Sequence, residues 1–100
     1  MYFIKQTEEF VAWMKRLKDL RAFALINKRI KRAEEGNLGD FKSVGDKIFE
    51  LRISYGPGYR VYYTLRNKEL ILLLIAGDKS TQAKDIATAR LLAAEYGAKQ

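Results

Sequence analysis

The stretch KIFELRISYGPGYRVYY, Lys47–Tyr63, contains the pattern on which the predicted fold depends. Apolar and polar residues alternate on both sides of its centre, which is typical of half-buried β-strands. The centre, SYGPG at residues 54–58, is a cluster of turn-forming residues of the length that joins two strands of a hairpin. The stretch therefore predicts two adjacent antiparallel strands.

The predicted hairpin determines which side chains lie opposite each other. If the two apolar residues that flank the turn both face the core, Arg52 lies opposite Arg60 and Glu50 lies opposite Tyr62. Because directly opposite residues share a face, these side chains are expected to point away from the core side of the sheet. A shift of one pairing would remove this arrangement.

The pairing of Arg52 with Arg60 is unfavourable by itself, because like charges repel across a sheet. Planar guanidinium groups held side by side nevertheless bind a phosphate well. Tyr62 would then be placed to stack on a base or to form a hydrogen bond. The alternative is that Glu50 neutralises the pair on an ordinary solvated face, and the residues alone leave both interpretations open.

Outside the hairpin, the sequence predicts the strands and helices of a single α+β domain over residues 1–100. Thr7 and Asp19 are candidate N-caps of two consecutive helices, and Gly36 lies where the second helix would end. The predicted buried side of the second helix is Phe23, Ile26, Ile30 and Ala33. The predicted elements are a short strand at 2–5, a helical hairpin up to 36, strands at 41–44, 47–53, 59–66 and 69–77, and a last helix. The strand at 69–77 is apolar on both faces, which predicts a central strand covered on both sides.

The composition narrows the chemistry open to this protein. The chain contains no cysteine and no histidine, which excludes disulfides, thiolate metal sites, a cysteine nucleophile and a histidine base. Any catalysis must rely on Lys, Arg, Tyr, Asp or Glu side chains, and no metal or cofactor is implied. The formal net charge of +7 favours a polyanionic partner such as RNA, DNA or an acidic protein, although it can also serve solubility alone.

Neither a signal peptide nor a membrane span is predicted. The first residues, MYFIKQTEEF, lack a basic start followed by an apolar run. The longest apolar run, residues 70–76, is far shorter than a transmembrane helix. A cytoplasmic protein without a membrane partner is therefore expected.

Two further groups of basic residues are candidates for anion binding. Lys79 lies beside Ser80 and Thr81, where a helix N-terminus can bind an anion, although a loop lysine next to capping hydroxyls fits equally well. The other group is more typical of the solvated side of amphipathic helices than of a track along RNA. Its members are Lys15, Arg16, Lys18, Arg21, Lys28, Arg29, Lys31 and Arg32.

Three segments in this order resemble the RelE/ParE toxin superfamily: GNLGDFKSVGDKIFELRI at 36–53, YGPGYRVYY at 55–63 and LLLIAGDKSTQAKDIATA at 72–89. They are most similar to its addiction module killer branch, also described as phage Gp49-like or HigB-like. Each segment alone is a weak signal, but three at compatible spacing over nearly the whole chain are a strong one. The resemblance implies a RelE-like fold with a curved antiparallel sheet, an N-terminal helical hairpin and a C-terminal helix.

The resemblance also implies a function and a partner. RelE-like members cleave mRNA in the ribosomal A site, whereas ParE-like members inhibit DNA gyrase. Both are neutralised by a cognate antitoxin, which in this branch is typically a small helix-turn-helix protein. A type II toxin acting on ribosome-bound mRNA is therefore expected; the alternatives are a gyrase inhibitor and a non-toxic antitoxin-binding module.

The resemblance assigns roles to individual residues. Arg60 matches the phosphate-binding arginine of the RelE-like nucleases, Arg52 matches the arginine of their LR motif, and Lys79 lies where they place another basic residue. Two departures affect the chemistry. Ile48 and Glu50 stand where such nucleases often carry lysines, and the chain has no histidine for proton transfer.

A metal-free endoribonuclease mechanism is expected from these assignments, in which the mRNA 2′-hydroxyl attacks the adjacent phosphate. Arg60 and Arg52 would stabilise the charge that develops on the phosphate. Glu50 is the candidate base, or alternatively orients the arginines. Lys79 or Tyr62 would protonate the leaving oxygen.

Overall fold

The computed structural model describes residues 1–98, in which one sheet carries helices on both of its faces. Its strands lie in the order β1-β5-β4-β3-β2. The elements in chain order are β1 (Phe3–Gln6), α1 (Glu8–Arg16), α2 (Leu20–Glu34), β2 (Phe41–Gly45), β3 (Ile48–Ile53), β4 (Tyr59–Arg66), β5 (Leu70–Asp78), a short 3₁₀ turn (Lys79–Thr81) and α3 (Gln82–Ala98). The predicted α+β class and the predicted order of elements are confirmed. Among residues 1–98, no helix has the length and apolar character needed to span a membrane.

The sheet is antiparallel from β2 to β5, and β1 adds a parallel edge strand beside β5. β5 therefore has a neighbour on each side. Ile71 and Leu73 pack on one face of the sheet, and Leu72 and Leu74 pack on the other. This arrangement confirms the central strand that the two-sided apolar pattern predicts.

Two apolar layers hold the sheet between the helices. On one face, the helical hairpin of α1 and α2 packs through Phe10, Met14 and Ile26. On the other face, α3 packs through Ala89 and Leu92. Full burial of a side chain of the size of Leu or Phe contributes roughly 1.5–3 kcal/mol, so both faces of the sheet gain stability from their helices.

The prediction that Phe23 lies on the buried side of α2 is wrong, because this side chain is 40% exposed. The buried side of the helix runs through Ala22, Ile26 and Ala33. Phe23 lies one residue from Ala22, which is about 100° around the helix axis. It therefore points away from the sheet although it is strongly apolar.

Thr7 caps α1 and also joins it to the sheet. Its buried hydroxyl accepts a hydrogen bond from the backbone N–H of Phe10 at 2.9 Å. The same hydroxyl donates to the carbonyl oxygen of Leu74 in β5 at 2.6 Å. The predicted cap is confirmed, and one side chain satisfies groups in two elements.

We expect Thr7→Val to lower the free energy of unfolding by about 1–3 kcal/mol, because it leaves two buried backbone groups without their partner. Thr7→Ser keeps the hydroxyl and should lose less than about 1 kcal/mol. Urea denaturation of the two variants measures both changes. Equal losses would mean that the hydroxyl contributes no more to stability than the methyl group that serine lacks.

Candidate anion-binding site

β3 and β4 pair in the predicted register, with Arg52 opposite Arg60 and Glu50 opposite Tyr62. These side chains lie on the face that is turned away from the helical hairpin. α3 covers one end of this face and leaves the other open. Arg52 is 39% exposed at the open end, whereas Glu50 and Tyr62 are fully buried. Accessibility on this face therefore decreases from Arg52, through Arg60 at 12% exposed, to the covered pair of Glu50 and Tyr62.

Tyr62 is inaccessible to a substrate, which corrects the stacking role expected of it. Its ring lies in the apolar layer between the sheet and α3, together with Ile48 and Leu72. Burial, followed by the nearby charge of Glu50, raises the pKa of the Tyr62 hydroxyl above its usual range. A covered hydroxyl of raised pKa is a poor proton donor, so the leaving-group role expected of Tyr62 is also removed. The alternation of β4 identifies the face of this residue but not the helix that covers it.

We expect Tyr62→Phe to change the free energy of unfolding at pH 7 by less than about 1 kcal/mol, because the hydroxyl has no hydrogen-bond partner among residues 1–98. In the unfolded chain tyrosine ionises near pH 10, whereas burial keeps the folded Tyr62 protonated to higher pH. The stability of the wild type is therefore complete below about pH 10 and falls as the pH rises above it. The variant should lose less stability there. Denaturation curves at neutral and alkaline pH check both statements, and a large loss at pH 7 would contradict the first.

Glu50 lies beneath Arg60 and is only 1% exposed. Its Oε2 atom lies 3.4 Å from Nε of Arg60 and accepts a hydrogen bond from Nε2 of Gln82 at 3.2 Å. The arginine contact is a charge pair rather than an aligned hydrogen bond, because Nε and Nη1 of Arg60 have no hydrogen-bond partner in the described chain. A covered carboxylate in this position balances and orients Arg60. The role of a base in contact with substrate does not fit Glu50.

Arg52, Arg60 and Lys79 meet around one open cavity of about 370 Å³ at the turn between β3 and β4. Its volume lies in the range of small-ligand sites. Asp40 and residues of the turn complete the wall. The structure thus brings together three of the five residues that the sequence predicts as a site, all three of them cations.

Lys79 reaches the cavity by packing across Gly58 in the turn. A Cβ atom at Gly58 would lie 2.8 Å from Cε of Lys79, and the residue has a φ of +81°. Both observations favour glycine at this position. The close approach places the alkyl chain of Lys79 against the turn, and the residue lines the same cavity as the two arginines.

The hydroxyl groups of Ser80 and Thr81, next to Lys79, form hydrogen bonds with carboxylates of the protein. This corrects the anion site that was expected at the helix N-terminus. Oδ1 of Asp78 accepts hydrogen bonds from the backbone N–H of Ser80 at 2.8 Å and from its hydroxyl at 2.5 Å. Thr81 donates its hydroxyl hydrogen bond to Asp85 at 2.6 Å. Hydrogen bonds from Ser80 hold the pKa of Asp78 below its usual range, so this cap is an anion already. Lys79 contributes to the cavity through its side chain.

Asp40 is a site residue that the sequence reasoning missed. Its Oδ1 atom accepts hydrogen bonds from Nη2 of Arg52 at 2.7 Å and from Nε at 3.2 Å. This contact raises the pKa of Arg52. The pairing of β2 with β3 could have identified Asp40, because it places Phe41 opposite Leu51 and so brings Asp40 beside Arg52.

The sequence of this protein matches the family described as phage-derived protein Gp49-like over residues 4–94. The chain belongs to this family. It is also 60% identical over 94 residues to an uncharacterized protein of Haemophilus influenzae, a match that covers 94% of this chain and 95% of that protein. The Gp49-like branch to which the three segments point is thereby confirmed.

The fold of this Gp49-like protein is similar to that of the E. coli RelE toxin. Free RelE with two arginine-to-alanine substitutions gives a TM-score of 0.65 at 19% identity, covering 91% of this chain and 98% of that chain. The intact E. coli RelBE toxin–antitoxin complex gives a TM-score of 0.60 at 18% identity, covering 78% of this chain and 96% of the matched chain. The RelE-like fold expected from the sequence is therefore confirmed.

Proposed function

We propose that this protein is the toxin of a type II toxin–antitoxin pair and that it cleaves mRNA bound to the ribosome. The observation that carries the proposal is the meeting of Arg52, Arg60 and Lys79 around one accessible cavity. Asp40 and Glu50 each pair with one of the two arginines, and a guanidinium group has further N–H donors that can form charge-assisted hydrogen bonds with a phosphate in the cavity. Membership of the Gp49-like family and the RelE fold support a toxin.

The proposed reaction is a transesterification within the mRNA. The 2′-oxygen forms a bond to the adjacent phosphorus and gives its proton to a water molecule of the solvent, while the bond from phosphorus to the 5′-oxygen breaks and that oxygen takes a proton from Lys79, which leaves a 2′,3′-cyclic phosphate and a free 5′-hydroxyl. Arg60 and Arg52 stabilise the charge on the pentavalent phosphorus. Lys79 is the accessible group of the cavity that can protonate the leaving oxygen.

In the proposed reaction, Glu50 does not contact the substrate but orients Arg60 through the ion pair between them. The chain then supplies charge stabilisation and a proton donor, and the ribosome supplies the alignment of the 2′-hydroxyl with the phosphorus. Free RNA should accordingly be cut far more slowly than mRNA in a translating ribosome. No metal ion is required in this scheme.

The proposed partner in the resting cell is a cognate helix-turn-helix antitoxin. A net charge of +7 makes this chain a good match for an acidic segment laid over the cavity. RelE itself is known in complex with its antitoxin, which supports the same kind of partner here. We also propose that the protein acts in the cytoplasm, where ribosomes and mRNA are found.

The proposal is tested by adding the purified protein to a bacterial cell-free translation reaction and mapping mRNA 5′ ends by primer extension. Cuts within codons that disappear when ribosomes are omitted are the expected result. A parallel assay of DNA supercoiling by purified gyrase tests the ParE-like alternative. Intact mRNA together with inhibited supercoiling would replace the present proposal by a gyrase inhibitor, and no effect in either assay would leave an antitoxin-binding module.

A further inference from the structure

Arg29 in α2 binds to backbone carbonyl groups. The sequence pattern indicated instead that it lies on the solvated side of the helix. Its Nη1 atom donates to the carbonyl oxygen of Arg52 at 2.6 Å. Its Nη2 atom donates to the carbonyl oxygens of Leu38 and Asp40, both at 3.1 Å. Burial lowers the pKa of this guanidinium, as expected of a group taken partly out of water. One side chain thus binds two separate segments of backbone.

These carbonyls belong to the two segments that carry Asp40 and Arg52, which form one wall of the cavity. The segments are also joined directly, because the backbone N–H of Arg52 donates to the carbonyl oxygen of Asp40 at 2.9 Å. The loop before β2 fits closely around the guanidinium of Arg29. A Cβ atom at Gly39, where φ is +62°, would lie 2.9 Å from Nη2 of Arg29.

Arg29 does not line the cavity. α2 packs on the face that contains Tyr63, and the charge of Arg29 acts on the hydroxyl of that residue. The side chains of Arg52 and Arg60 point to the other face. Apart from the effect of its charge, which acts through space, Arg29 can therefore affect a ligand in the cavity only through the backbone that it holds.

We propose that Arg29 is a positioning residue that holds Asp40, and through it the guanidinium group of Arg52, by fixing the backbone of residues 38–40 and 52. The proposal rests on the phosphate-binding function proposed for the cavity. Two arginines bind one phosphate well only when their planar groups are held at a matching separation. The segment at 38–40 is irregular backbone before β2, so a side-chain anchor restricts a part of the site that the sheet alone does not.

The variant Arg29→Lys distinguishes the positioning role of Arg29 from the effect of its positive charge. Lysine keeps the positive charge, but its single ammonium group cannot reproduce the planar fork that reaches three oxygen atoms. Arg32→Lys is the matched control, because Arg32 is an exposed arginine of the same helix. Gly39→Ala disturbs the same contact from the loop side and serves as a second variant if Arg29→Lys does not fold.

The test measures binding of a short RNA with 2′-O-methyl groups, which cannot be cleaved, by fluorescence anisotropy at several salt concentrations. Arg29→Lys should weaken binding about five- to tenfold in the wild-type background and less than about twofold in an Arg52→Ala background. The reason is that a residue acting through Arg52 has nothing left to position once that side chain is gone. Arg52→Ala itself should reduce the slope of log affinity against log salt by about 1. Arg32→Lys should bind like the wild type.

Equal losses in both backgrounds would overturn the proposal, because a merely structural arginine weakens binding whether or not Arg52 is present. Tight binding by Arg29→Lys, together with weak binding by Arg52→Ala, would also overturn it while leaving the phosphate site intact. If Arg52→Ala binds as tightly as the wild type, the proposed phosphate site fails and the role of Arg29 fails with it. Unfolding midpoints of all variants identify the temperature at which every one of them is folded.

Discussion

Arg60→Ala is expected to slow cleavage of ribosome-bound mRNA about 10²- to 10³-fold, the loss seen when one donor to a developing oxyanion is removed. Arg60 is only 12% exposed and faces the cavity with its charge balanced from below by Glu50. A charge that is partly shielded from water interacts more strongly with a phosphate than an exposed one does. Single-turnover cleavage in the translation reaction measures the effect.

Two control variants separate this effect from general electrostatics and from folding. Arg16→Ala removes one exposed positive charge at the end of α1 and should change the cleavage rate less than about twofold. Arg60→Lys keeps the charge but loses the planar donors, so its rate should lie between those of the wild type and Arg60→Ala. Similar losses in Arg16→Ala and Arg60→Ala would contradict the assigned role of Arg60. Circular dichroism establishes that each variant is folded under the assay conditions.

Glu50→Ala is expected to lower the free energy of unfolding by about 3–5 kcal/mol, the usual result of removing one member of a buried ion pair. The carboxylate is 1% exposed and lies 3.4 Å from Nε of Arg60. Without it, a largely buried guanidinium would lose the carboxylate that is paired with it, and Gln82 would lose the acceptor of its hydrogen bond. Urea denaturation at pH 7 measures the change.

The double variant Glu50→Ala/Arg60→Met should regain part of the lost stability, because it removes both charges and fills much of the space of Arg60 with an apolar chain. It should remain inactive, since the phosphate ligand is gone. Arg90→Ala is the matched surface control: it breaks the exposed ion pair with Asp46 at 2.9 Å and should lose less than about 1 kcal/mol. A similarly small loss for Glu50→Ala would show that Arg60 does not depend on this carboxylate.

The β3–β4 hairpin and its register were predictable from the sequence because they depend on local alternation. A period of two residues assigns each side chain to a face, and the turn at 54–58 sets which residues lie opposite. Arg52 and Arg60 therefore fall where the pattern places them. The caps at Thr7 and Asp19 were predictable for the same reason, since each acts within the next few residues.

The parts that sequence reasoning missed depend on contacts between distant segments. Alternation gives a face for Tyr62 but does not show that α3 covers that part of it. Asp40 and Arg29 reach Arg52 across sequence separations of 12 and 23 residues, so neither forms a local pattern with it. β1 was anticipated as a strand, but its parallel pairing with β5 joins Phe3 to Leu70, 67 residues further along the chain. Such contacts follow from packing of the whole domain, which periodicity does not describe.

The central claim is that Arg52 and Arg60 hold an mRNA phosphate in the A site, and a cryo-electron microscopy structure of the protein on a bacterial ribosome tests it most directly. The mRNA would carry a 2′-O-methyl group in the A-site codon, which removes the attacking hydroxyl and preserves the complex. We predict a phosphate of that codon inside the cavity, within about 3 Å of nitrogen atoms of both arginines. A protein that binds with its helical hairpin toward the mRNA and its cavity empty, or that does not bind the ribosome, would contradict the account.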